Sequence, residues 1–201
     1  MIKKISRERT YQLYKKFPSS FYISDQFTYP DLFETYVLTT ASKSVRGHAT
    51  NMAKATQQLY TVLQIPSLIF LGDTKVPWLS QNNAYPPVQR AMQFLATGKL
   101  GTAFNGGLQV ATKDVSAFFV HLFWLVRCNA ALPIFYWMNE EQTILANLCQ
   151  YGNIHLSTLT AAADAQLQAA IPATNLYVYE GAYCQEAWGA ANKIGGRSLI
   201  V

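Results

Sequence analysis

Charge is scarce in this chain: Asp, Glu, Lys and Arg make up only 13% of it, while 50% is hydrophobic. That balance excludes a disordered segment, which carries too little apolar surface to offset the entropy of ordering the chain. Cysteine is scarce as well. Cys128, Cys149 and Cys184 are odd in number and widely spaced, with no Cys-x-x-Cys pair or zinc-like spacing. A disulfide scaffold is thereby excluded, no metal site is expected, and a reducing compartment, the cytoplasm, is the expected location. Long apolar runs are missing too. The most hydrophobic stretch, 118–126, contains His121 and is closed by Arg127, far short of the roughly 20 apolar residues that a membrane span needs. Lys3 and Lys4 imitate the start of a secretory leader, but Arg7, Glu8, Arg9, Lys15 and Lys16 stand where its apolar segment belongs. No leader and no membrane contact are expected.

Catalytic signatures are also lacking. The glycine fingerprint of dinucleotide-binding folds, the nucleophile elbow of α/β-hydrolases and the paired-histidine zinc helix do not occur. The phosphate-loop pattern fails after Gly101 and Gly106, where Gly107 and Leu108 replace the required Lys and Ser or Thr. No motif names a chemistry, and no cofactor follows from the residues.

What is present is a repeating pattern. Short apolar runs at 67–71, 103–110, 133–138, 154–159, 175–179 and 197–201 alternate with helix-like stretches. Alternation of this kind predicts an α/β fold with a mainly parallel or mixed sheet of about six strands flanked by helices. The 201 residues are read as one domain, with 1–65 a mostly helical, basic part packed on an alternating body over 66–201. Helices are expected over 4–17, 31–38, 49–64, 86–97, 140–151, 160–170 and 182–193, and from about 112–114 to 128. The helix ending at Cys128 is apolar nearly all round and should be buried on most faces.

The net charge of +5 has a location. Residues 1–54 hold nine Lys or Arg against four acids, and the rest of the chain is neutral. A basic arm of this kind can meet nucleic acid, anionic lipid or an acidic partner. A solvated face that keeps the protein soluble is the preferred reading, because basic clusters are weak signals.

Parallel sheets place ligands beyond the carboxyl ends of their strands, so the residues there are the candidates. Asp73 follows the run ending at Leu71 and can offer a carboxylate to a sheet edge, or serve as a turn residue bonding its own backbone. Glu180 follows Tyr179, and burial beside tyrosines would suit it to general acid work. His155 alternates with Ile154 and Leu156 and so points to the opposite strand face. Cys184 needs a base to act as a nucleophile, and His155 is the one plausible partner. Asn105 and Gly106 can bring backbone N–H groups to an anion, and Trp78 and Tyr179 can line a pocket. Asn139, Glu140 and Glu141 are read as the acidic first turn of a helix.

Two functions are compatible with these features. One is a non-catalytic cytoplasmic protein that binds a partner or small ligand, supported by the missing signatures and the tyrosine content. The alternative is a hydrolase or transferase acting on a phosphorylated or nucleotide-like substrate through acids at strand ends, which rests on fold analogy alone. The enzyme reading requires Asp73 and Glu180 in one pocket.

Overall fold

Apolar runs fold as strands where both of their faces find cover, and this chain supplies the cover with helices on one side and a short N-terminal layer on the other. The computed structural model describes residues 2–21, 26–80, 83–129, 132–181, 183–186 and 188. In chain order the elements are β1 (Ile2–Ile5), α1 (Arg7–Leu13), β2 (Ser19–Phe21), β3 (Gln26–Thr28), β4 (Glu34–Thr39), α2 (Val45–Val62), β5 (Ser67–Gly72), α3 (Pro86–Thr97), β6 (Gly107–Ala111), α4 (Val115–Cys128), β7 (Phe135–Asn139), β8 (Ile144–Leu148), β9 (Ile154–Thr158), α5 (Ala161–Ala170) and β10 (Tyr177–Val178). Single turns of 3-10 helix at Thr112–Asp114 and Ile171–Ala173 adjoin α4 and α5. The expected run at 197–201 lies outside the described residues, as does most of the helix expected over 182–193; Tyr183–Glu186 and Trp188 are not helical.

Eight strands form one sheet in the order β1-β6-β5-β7-β8-β9-β4-β10, and every neighbouring pair is antiparallel. β2 and β3 pair separately as a hairpin. This corrects the expected parallel or mixed sheet of about six strands. The physical reason is interleaving. Helices α2, α4 and α5 join β4 to β5, β6 to β7 and β9 to β10, and in each case the two strands run the same way. Other strands are inserted between them, so that each joined strand has antiparallel neighbours: β5 between β6 and β7, β4 between β9 and β10, and β9, β8 and β7 between β4 and β5. A helix between two runs signals a crossover, but does not make the strands it joins adjacent.

Two more expectations are corrected by local chemistry. The stretch 140–151 is a strand, not a helix, because Asn139 turns the chain. Its Oδ1 accepts from the N–H groups of Thr143 (2.9 Å) and Ile144 (3.0 Å), and its carbonyl accepts from Gln142 N, which sits at φ 55°. Asn favours such turns because its side chain mimics a backbone carbonyl and it tolerates them sterically. The stretch 31–38 yields β4, where Thr35, Tyr36, Val37 and Thr39 suit a pleated surface better than a helix. With β1 and β4 in the sheet, the first 65 residues are not a helical cap. Their basic residues are divided, with Arg9, Lys15 and Lys16 in or beside α1 and Arg46 and Lys54 on α2 across the sheet.

The sheet is buried on both sides at its centre. Leu68, Phe70, Phe135, Trp137, Ala146 and Leu156 face α2, α3 and α4. Ile69, Leu71, Tyr136, Met138 and Leu145 face the other way and meet Tyr14 and Phe17, which follow α1. Polar tips inside this packing are paired: Trp137 Nε1 donates to Tyr60 Oη at 2.7 Å, and Trp78 Nε1 donates to Gly106 O at 2.9 Å. Glycine lets α1 come close. A Cβ at Gly106 would stand 2.2 Å from Ile5 O, and one at Gly107 would stand 2.5 Å from Thr10 Oγ1.

Helix α4 is the spine of the larger layer and buries nine of its fourteen residues, as its all-round hydrophobicity predicts. Leu125 is 1% exposed. Leu125→Ala is expected to lower the unfolding free energy by about 2–5 kcal/mol, from lost transfer energy and the cavity left behind. Equilibrium denaturation in urea measures it, and a change near zero would show that the helix is not load-carrying in the core.

Candidate functional site

Three elements converge where β8 turns into β9. The turn spans Cys149, Gln150, Tyr151, Gly152 and Asn153, and it is closed by Cys149 N donating to Asn153 O (3.0 Å) and Gly152 N to Cys149 O (2.9 Å). Gly152 has φ +78°, a conformation that L side chains seldom adopt, and a Cβ there would meet Phe123 at 2.3 Å and His48 at 3.0 Å. The turn therefore packs directly on α4 and α2. The His48 ring also bonds Gly152 O through Nε2 at 3.0 Å.

Past the turn, His155 stands opposite Asn147 on β8 and Val37 on β4. The segment 183–186 is held by Asn153, whose amide donates to Cys184 Sγ (3.1 Å) and to Gln185 O (2.9 Å) while its Oδ1 accepts from Thr39 Oγ1 (2.8 Å). Arg127 adds a clamp at the end of α4. Its guanidinium bonds Gln150 O at 3.0 Å, pairs with Glu186 and lies 5.6 Å from the centroid of the buried Trp188 ring.

These supports bring Cys149 Sγ and Cys184 Sγ to 3.6 Å. The donor atoms of Cys149, His155 and Cys184 all lie within 4.8 Å of one another, and all three residues are half-buried. Burial, with the neighbouring Cys184 adding to it, pushes the Cys149 thiol up to about 12, and burial lowers His155. At neutral pH the pair is thus a protonated thiol and a neutral imidazole. They line a cleft of about 400 Å³ together with Val126, Leu132, Pro133 and Asn147.

The other sequence candidates fall elsewhere. Asp73 closes the end of β5: its Oδ1 accepts from Ile134 N (3.1 Å), and its own N–H donates to Ile134 O (3.0 Å). Arg7 binds the carbonyls of Gly72 (2.9 Å), Asp73 (3.1 Å) and Asn105 (3.3 Å) in the same knot. Burial raises the Asp73 pKa, against the Ile134 N–H and Arg7, which lower it. Asn105 donates to Lys75 O at 2.8 Å, Gly106 receives the Trp78 indole, and Trp78 is stacked on Phe135 at 4.0 Å. Each of these side chains serves a loop contact. Tyr179 donates its backbone N–H to Val37 O at 2.7 Å on the edge of the sheet, and Glu180 beside it is exposed.

Strand count separates the two acids. Five spacings lie between β5 and β10, which at about 4.8 Å each is roughly 24 Å across the sheet. The common rim expected of parallel strands is thereby overturned: Asp73 and Glu180 do not share a pocket, whereas His155 and Cys184 do. Sequence reasoning missed Cys149 because it read 140–151 as a helix. The signal was present as Cys-x-x-Gly-Asn between two apolar runs, which is hairpin composition.

Compared with known proteins, the chain matches no family model, no curated sequence and no solved structure. Among the described residues, no helix is long and apolar enough to cross a membrane.

Two outcomes follow. Asp73→Ala, which removes the acceptor for Ile134 N, is expected to cost about 1–3 kcal/mol of unfolding free energy; an unchanged stability in denaturant would free Asp73 from its structural role. His48 is fully buried, and burial lowers its pKa despite backbone hydrogen bonds that oppose the shift. The unfolded chain then binds more protons than the folded one below about pH 6.5, so stability is complete above that pH and is lost as the pH falls. Thermal unfolding from pH 7.5 to 5 is expected to show this decline, with a shallower slope in His48→Gln; equal slopes would assign the dependence to other groups.

Proposed function

We propose that the protein is a non-catalytic binding protein whose small ligand occupies the cleft between Pro133 and His155. One observation carries this reading: one cleft is lined both by apolar residues, among them Val126, Leu132 and Pro133, and by a few polar groups, Asn147, Cys149, His155 and Cys184. Small-ligand sites have this make-up, with apolar surface for affinity and a few polar atoms for orientation. The chemistry also favours binding over turnover. A thiol raised by burial is the reverse of an activated nucleophile. The hydrolase or transferase alternative drew on acids at a shared rim, and the strand order leaves Asp73 and Glu180 beyond strands five spacings apart.

Two adjoining expectations belong to the same reading. A reducing compartment such as the cytoplasm suits a protein whose three cysteines are free thiols. Nucleic acid is not the favoured partner, since the basic residues of 1–54 are divided between the two sides of the sheet and form no single stripe.

A library of small polar aromatic fragments, screened by two-dimensional NMR on the isotopically labelled chain, tests the proposal. The backbone signals that shift are expected to belong to Asn147, Leu148, Cys149 and His155. Shifts confined to Gly72–Lys75 or to residues 2–17 would overturn it.

A further inference from the structure

We propose that Cys149, His155 and Cys184 hold a single zinc ion whose remaining coordination position opens into the cleft. The inference deepens the binding reading above and rests on it for the role of that open position. Among the described residues, these three form the one group of His, Cys, Asp or Glu whose donor atoms converge. Two sulfurs and one imidazole nitrogen are a donor set that zinc accepts in four-coordinate sites, the fourth position then being taken by water or a ligand.

The spacing fits. Zinc–sulfur bonds of about 2.3 Å at a tetrahedral angle place two sulfurs about 3.8 Å apart, and Cys149 Sγ and Cys184 Sγ stand 3.6 Å apart. A disulfide requires about 2.05 Å, so the observed separation lies close to the metal-bridged value and far from the covalent one. All three donor atoms lie within 4.8 Å of one another.

The surroundings of the sulfurs supply a second argument. The Asn153 side chain donates to Cys184 Sγ at 3.1 Å. N–H donors on sulfur favour the thiolate and orient it, which is what metal-bound cysteines require of the groups behind them. Asn153 is fully buried and is itself held by Thr39, so this donor is fixed in place. The ligands come from a hairpin turn and from a segment far along the chain, so the ion would also tie 183–186 to the end of the sheet.

Cobalt is the probe that separates the outcomes. The full chain is reduced, stripped with a chelator and titrated with Co²⁺ alone under anaerobic conditions. The expected result is one equivalent bound, with sulfur-to-cobalt charge-transfer absorption and the intense visible bands of a tetrahedral site, all displaced by Zn²⁺. Cys149→Ser, Cys184→Ser and His155→Gln are each expected to weaken Zn²⁺ binding by at least about 100-fold, since even an outer-shell change costs about 10–100-fold. Cys128→Ser, which alters the thiol outside the cluster, is expected to bind as the parent does. Wild-type protein that develops no charge-transfer band overturns the inference, whatever the variants do. So does a band that survives loss of Cys149 or Cys184. If cobalt fails while fragments still map to the cleft, the metal site alone is rejected; if fragments fail and cobalt binds, only the small-ligand reading falls.

Discussion

Phe123 and His48 leave no room for a side chain at Gly152, and on that contact the arrangement of the site depends. Because Gly152 alone can take a positive φ against those rings, the β8–β9 turn sits flush on α4 and α2. The turn in turn sets Cys149 on its β8 side and His155 on its β9 side, with donor atoms within 4.8 Å of each other. Asn153 then draws in the third residue, Cys184, through one buried amide bonded on three sides. Arg127 ties the end of α4 to both the turn and the segment ending at Trp188. The site is thus built on the packing of one glycine, and each further partner is positioned by a buried group already fixed.

The sheet explains why this end of the molecule, rather than the neighbourhood of Asp73, gathers reactive groups. Antiparallel order brings strand starts and strand ends to the same edge, so β7 begins beside the β8–β9 turn. The loop leading into β7 supplies apolar lining residues, and the hairpin supplies polar ones. Near β5 the same edge is closed by Arg7, which spends its hydrogen bonds on backbone carbonyls. Those contacts hold a loop knot together and leave the Asp73 carboxylate bonded to Ile134 N.

Much of the layout is legible in the residues. The run at 67–71, the strand carrying His155, the amphipathic helix beginning near Ala49 and the apolar helix ending at Cys128 are set by local hydrophobic pattern, which the surrounding fold reinforces. Strand direction is not local. It depends on which strands are inserted between those that a helix joins, and no spacing in the sequence records that. The 140–151 error has a different origin. Ile144–Leu148 is a short apolar run with no period that separates strand from helix, and the Asn139 side chain decided the outcome. Of the candidate residues, Cys184 and His155 lie together, although the reasoning that linked them, a thiol in need of a base, concerned a nucleophile. Cys149 was hidden because a residue in a supposed helix does not advertise the hairpin corner that presents it.

Cys149, His155 and Cys184 are proposed to meet at one point able to hold an ion. Crystals of the reduced protein grown with zinc, measured on both sides of the zinc absorption edge, decide the matter. The expected result is one strong anomalous peak about 2.3 Å from both sulfurs and about 2.0 Å from an imidazole nitrogen. An anomalous map with no peak among these three residues, or with its zinc bound elsewhere, would contradict it.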